Sequence, residues 1–156
     1  RLSAHEPVVI VSSDGDFKQL HQYPNVKQYN PGLGIYVKSE NPQLELKEKI
    51  LTGDKGDGLP NILSNDDVFV TGTRQTILTA KKKAELLSCD FNDPNIPHYR
   101  NIQRNKLLIE LLNTPTDIKE QIIEQYEQPK TGSKQLVMKY FIEHKLMNLL
   151  EVIDDF

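Results

Sequence analysis

The sequence predicts an α/β unit at its N-terminal end followed by a mostly α-helical region, and three observations carry that expectation. Val8-Val9-Ile10-Val11 is an all-apolar run with the length and β-branching of a buried strand. It exits through Ser12 and Ser13 into Asp14-Gly15-Asp16, residues suited to a turn beyond a strand end. From Asn41 onward apolar residues recur at helical spacing, and prolines punctuate the chain. The expected boundary lies at residue 40: 1–40 belong to the α/β core and 41–156 to a helical domain. Runs like 8–11 belong to parallel sheets covered on both faces, and no second run of that quality follows. The expectation is therefore that its sheet partners precede Arg1 and that the chain is the C-terminal part of a larger protein.

Along the chain, residues 16–21 read as a short helix with Phe17, Leu20 and His21 inward. Residues 26–29 and 35–38 read as hairpin strands around Asn30-Pro31-Gly32-Leu33-Gly34. Asn41 is placed to cap a helix with Pro42 at its first position; Leu44, Leu46, Ile50 and Leu51 form its apolar stripe, and Gly53 ends it. Gly56, Gly58 and Pro60 make the next stretch irregular, and 76–87 reads as helix. Asp93-Pro94 and Ile96-Pro97 interrupt the chain. Three helical pieces follow from Tyr99, separated by Pro115 and Pro129.

Composition bounds the function. The chain has 156 residues, 37% of them hydrophobic and 26% charged, enough for one core. No apolar run approaches the length of a membrane span. The single cysteine, Cys89, excludes an internal disulfide and a thiolate zinc cage, and it suits a reducing cytoplasm. A net charge of −3 argues against coating nucleic acid by bulk charge, but it is compatible with an enzyme that carries an acidic metal site.

The chemistry gathers in two acidic clusters, Asp14-Gly15-Asp16 and Gly53-Asp54-Lys55-Gly56-Asp57-Gly58. Residues two apart in an extended chain point the same way, so Asp14 and Asp16 can present both carboxylates to one side of a strand end. Asp54 and Asp57, three apart, share a face in a helical turn. Lys55 is placed to meet a phosphate, and the glycines let backbone amides approach an anion. Either cluster alone is also an ordinary solvated turn; together, four carboxylates exceed what turn chemistry requires. Such oxygens suit hard divalent cations, and two ions side by side are the usual machinery for cutting a phosphodiester.

The run Ser12-Ser13-Asp14-Gly15-Asp16-Phe17-Lys18-Gln19-Leu20, with Gly53-Asp54-Lys55-Gly56-Asp57-Gly58-Leu59-Pro60, resembles the flap endonuclease, or structure-specific 5′ nuclease, family. The continuation His21-Gln22-Tyr23-Pro24-Asn25-Val26-Lys27-Gln28 is most similar to its T-even phage ribonuclease H branch. The resemblance implies a magnesium-dependent 5′ to 3′ exonuclease and flap endonuclease that removes RNA primers and 5′ flaps in DNA replication. It assigns Asp14 to a first metal, Asp16 and Asp57 to a second, and Asp54 to a supporting contact, direct or through water. Asp14, Asp16 and Asp57 are then the catalytic carboxylates, with two magnesium ions per complete site and manganese as a substitute. Further acidic ligands and a helical arch are expected upstream, so the chain alone is expected to be inactive. Residues 44–87 would form a helix–hairpin–helix-like grip on duplex phosphates. The family's glycine-rich hairpin is reduced here to Thr71-Gly72-Thr73-Arg74-Gln75-Thr76, so the resemblance carries no monovalent-cation site over.

Lys55 and the row Lys81-Lys82-Lys83 are the candidate nucleic-acid contacts; a solvated helix face explains the row equally well. Arg100, Arg104 and Lys106 read as plain surface. The expected partners are duplex DNA and RNA/DNA hybrids with 5′ ends or flaps, together with replication proteins such as a single-stranded DNA-binding protein. No membrane is expected, and the location is cytoplasmic, in the bacterial host for a phage protein. Two rival readings are a non-catalytic duplex-binding module and a haloacid-type phosphatase. The phosphatase pattern D-x-D-x-[TV] lacks its last element here. Glu151, Asp154, Asp155 and Phe156 form an acidic tail read as frayed.

Overall fold

The sheet is built around a strand expected from the sequence but with a neighbour that was not. In the computed structural model, which describes residues 2–128 and 132–155, β1 (Val8–Val11) pairs in parallel with β2 (Val26–Asn30). β2 in turn pairs antiparallel with β3 (Ile35–Val37), giving the order β1-β2-β3. The hairpin expected around residues 30–34 is present, with Tyr29 and Tyr36 stacked edge to face across it at 5.3 Å. The expectation that β1 has no partner within the chain is overturned by β2. Its mixed pattern Val26-Lys27-Gln28-Tyr29 reads as a hairpin strand, yet it is also the neighbour of β1. Nor is β1 fully buried: Val9 is 49% and Val11 66% exposed.

Between β1 and β2 the chain forms the short helix expected for 16–21, as a 3-10 helix over Gly15–Gln22. Its buried residue is Gln19, whereas Phe17, Leu20 and His21 are only half-buried. Gln19 Nε2 donates to Ile109 O (2.9 Å), and Gln19 Oε1 accepts from Leu111 N–H (3.1 Å), so one amide braces this segment to the helical part.

α1 (Pro42–Thr52) has the expected ends. Asn41 Oδ1 accepts the Leu44 N–H at 3.0 Å, and Gly53 stops the helix at φ 68° and ψ −171°. Its carbonyls are capped from elsewhere in the fold: Ile50 O by Asn105 Nδ2 (2.8 Å) and Leu51 O by Ile62 N–H (3.1 Å). α1 packs on α2 (Ala80–Leu87) and α3 (Tyr99–Ile109). The core is Ile50, Leu51, Leu59, Ile62, Leu86, Phe91, Ile96, Ile102 and Ile109.

α2 begins four residues later than expected. The amide of Thr76 donates to Ser64 Oγ and its carbonyl accepts from Asn61 Nδ2, so tertiary partners hold 76–79 out of the helix until Thr79 caps it. In α3 the buried face is Ile102, Asn105 and Ile109, while Leu107 and Leu108 are 64% and 67% exposed.

The chain divides into Arg1–Thr114 and a second unit, Pro115–Phe156. The latter contains α4 (Thr116–Glu127), α5 (Lys134–Glu143) and α6 (Met147–Leu150). The last of the three expected helical pieces is interrupted because Lys145 adopts φ 55°. Leu146 N–H then bonds Phe141 O (2.8 Å) and Lys145 N–H bonds Ile142 O (3.2 Å), the paired closure of a Schellman cap. Pro129 and Phe156, together with the Asp155 side chain, lie outside the described residues.

Candidate metal and nucleic-acid site

Two turns carry the acidic residues, and each is shaped by its own hydrogen bonds. At the end of β1, Asp14 N–H donates to Ser12 Oγ (3.1 Å) and Asp14 Oδ1 accepts Asp16 N–H (2.9 Å). Asp14 is thereby the N-cap of the 3-10 helix, with its carboxylate turned onto the helix start. The expected extended geometry, with both carboxylates on one side, does not hold there, because the helix begins at Gly15.

The second turn, in the stretch expected to be tight and irregular, is a closed hairpin and not a helical turn. Asp54 and Leu59 exchange both backbone hydrogen bonds at 2.8 Å, and Gly58 N–H reaches Lys55 O at 3.2 Å. Gly53 makes the closure possible: a Cβ there would lie 2.5 Å from Pro60 O and would also strike Leu59 O. Asp54 Oδ1 accepts Gly56 N–H at 2.9 Å.

The two turns meet. Carboxylate oxygens of Asp16, Asp54 and Asp57 lie within 4.8 Å of one another, the one such group of three or more potential metal ligands among the described residues. Asp14 is outside this group. Unit charges at that separation repel by roughly 1 kcal/mol in water and 3 kcal/mol at the higher field of a partly buried site, so the cluster favours a cation. One cationic group of the chain already answers to it. Lys49, in the last turn of α1, bonds Asp16 Oδ1 and lies 2.9 Å from Asp54 Oδ2. The Lys49 contact, opposed by partial burial, holds the Asp54 carboxyl below its ordinary value. Burial works against the Lys49 charge, but the bonds to Asp16 and Asp54 outweigh it and raise its pKa.

The donor chemistry fits a hard divalent cation: all three groups are carboxylates, and two are half-buried while Asp57 is open to solvent. Gln28, fully buried on β2, grips the backbone around Ser13 through Nε2 bonds to Ser12 O and Asp14 O. Sequence reasoning singled out neither Lys49 nor Gln28. The lysine stands five residues before Asp54, a spacing with no motif of its own, and the glutamine reads as an ordinary polar strand residue.

Of the candidate phosphate contacts, Lys55 is exposed in the Asp54–Leu59 turn. Lys81 is exposed on α2; Lys82 pairs with Glu85 (3.6 Å) and Lys83 with Glu48 on α1 (3.0 Å). Arg100 is exposed, as expected of plain surface, whereas Arg104 is half-buried. Both bind Asp66, and Arg104 also donates to Pro60 O at 3.1 Å.

The family model described as T4 RNase H, C terminal, matches residues 40–156. The chain belongs to this family. It is 30% identical over 167 residues to the Ribonuclease H of Enterobacteria phage T4, an alignment that covers 99% of the chain and 53% of that protein. The T-even phage ribonuclease H branch expected from residues 21–28 beside the acidic motifs is thus the one to which the chain is related. The chain spans about half the length of this relative. No helix among the described residues is long and apolar enough to cross a membrane.

Proposed function

We propose that the chain is the C-terminal part of a magnesium-dependent 5′ nuclease of the ribonuclease H type, which removes RNA primers and 5′ flaps during DNA replication. The observation that carries this reading is the meeting of Asp16 with Asp54 and Asp57 from turns 38 positions apart in sequence. Solvated turns have no reason to converge like charges; a cation site does. Relatedness to a phage ribonuclease H supports the same reaction class.

Asp16 and Asp57 would hold one ion with Asp54 in support, and Asp14 would reach a second from the cap of the 3-10 helix. Bound there, magnesium supplies an activated water and stabilises charge on the leaving oxygen. The chain's own residues set the geometry. The Asp54–Leu59 bridge fixes the second turn, and Lys49 draws Asp16 and Asp54 together. Lys55, Lys81, Lys82 and Lys83 would meet substrate phosphates. The same reading covers the division at residue 40, manganese as a substitute, partners that include duplexes with 5′ ends or flaps and a single-stranded DNA-binding protein, and the host cytoplasm.

The test is turnover of the full-length protein on a labelled RNA-primed duplex and on a 5′ flap across a magnesium series. Asp57→Asn keeps the shape and removes the ligand charge, so cleavage falls by more than about a hundredfold while duplex affinity stays within about twofold. Asp14→Asn keeps the cap acceptor, so it folds normally yet cuts poorly. Wild-type rates in both variants would leave a duplex-binding module with structural acids.

A further inference from the structure

Gln28 occupies the centre of β2, the middle strand, opposite Ile10 on β1 and Val37 on β3. It is 1% exposed, at a position where aliphatic side chains ordinarily sit. Its Nε2 donates to Ser12 O (2.9 Å) and to Asp14 O (2.7 Å), which uses both N–H groups. Its Oε1 is buried and meets no donor among the described residues. A buried carbonyl left without a donor is destabilising, a cost that a leucine or methionine would not carry. Packing therefore does not explain this amide. What it does is grip one loop at two points, on either side of Ser13.

Asn30, two positions along β2, holds the same loop by accepting the Ser13 hydroxyl at 2.9 Å. From this doubly held exit the chain turns at Asp14 into the 3-10 helix and presents Asp16 to Asp54 and Asp57. We propose that Gln28 is a positioning residue for the metal site: its amide sets the exit from β1 so that Asp16 meets the carboxylates of the second turn. The inference rests on the reading of those carboxylates as divalent-cation ligands. Groups that orient metal ligands from behind typically change affinity by about 10–100-fold when removed.

Gln28→Met in the full-length protein preserves length and volume and deletes both donors. Manganese binding followed by calorimetry without substrate should weaken about tenfold. Amide hydrogen exchange across residues 12–16 of the metal-free protein should speed up, because the loop has lost its clamp. Val26→Ala, on the same strand, trims packing and spares the clamp; it should lower the melting temperature and leave manganese affinity unchanged. Gln28→Asn, too short to span both carbonyls, should repeat the Met result and serves if the Met variant does not fold. Wild-type affinity and exchange in the Gln28 variants would overturn the proposal, as would a loss no larger than that of Val26→Ala at equal destabilisation. Failure of the metal reading looks different: wild-type protein itself would bind no manganese, and the exchange measurement would still decide the clamp.

Discussion

Three glycine-to-alanine substitutions separate backbone strain from steric contact, and the two acidic turns give each a different expected size. Gly53 combines both effects: its φ of 68° disfavours any L side chain, and an added Cβ would lie 2.5 Å from Pro60 O and meet Leu59 O as well. A backbone conformation of that kind costs about 1–3 kcal/mol, and overpacking adds about 1–3 kcal/mol, so Gly53→Ala should lose roughly 2–6 kcal/mol. Gly58 has φ 71° but nothing within 4 Å, so its alanine variant should lose about 1–2 kcal/mol through strain alone. Gly15, with open space and no such φ, should change by less than about 1 kcal/mol in either direction. Urea unfolding of the three variants, followed by circular dichroism at constant m, gives the ordering. Because Gly53 precedes Asp54, its variant should also weaken manganese binding. If Gly53→Ala were no less stable than Gly58→Ala, the close approach of the α1 terminus to residues 59 and 60 would not be what holds this turn.

Asn105→Ala leaves Ile50 O without its donor at the end of α1, while Pro60 O keeps Arg104; a loss of about 2–4 kcal/mol is expected in urea unfolding. Changing Lys81, Lys82 and Lys83 together to alanine should weaken duplex binding by the full-length protein for all sequences alike, and the salt slope should become shallower by about one for each phosphate that is no longer neutralised. An unchanged slope would mark the lysines as a solvated face. Arg100, then Arg104, hold the Asp66 carboxyl below its ordinary value of 3.8. A depressed folded-state pKa contributes stability that is present above the unfolded value and is lost as pH falls through the folded one. The difference in melting temperature between wild type and Asp66→Asn should therefore shrink as pH drops below about 4, and a difference constant from pH 3 to 7 would refute the clamp.

Much of this was legible from local chemistry. The ends of α1 followed from Asn41-Pro42 and Gly53, and the hairpin followed from Asn30-Pro31-Gly32-Leu33-Gly34, because caps and turns are decided by residues within a few positions of one another. The acidic motifs, together with residues 21–28, pointed to the right family for the same reason: they are short and specific in combination.

The misses share a cause. Asp14 became the cap of the 3-10 helix and stands outside the group of three because the chain turned helical one residue after it. Residues 76–79 stayed out of α2 because Asn61 and Ser64 claimed their backbone groups from a distance. Sequence reasoning passed over the buried polar residues Gln19, Gln28 and Asn105, since nothing local reveals that each spends its amide on backbone far away in sequence.

Which residues carry charge, where α1 starts and stops, and which family the chain resembles were all settled by the order of its amino acids. Folding in three dimensions settled which carboxylates meet, that Lys49 sits between two of them, and that β1 finds its partner in β2. The difference is one of range. Caps and turns are decided by groups a few residues apart, whereas convergence of like charges and satisfaction of buried amides depend on where distant segments come to rest.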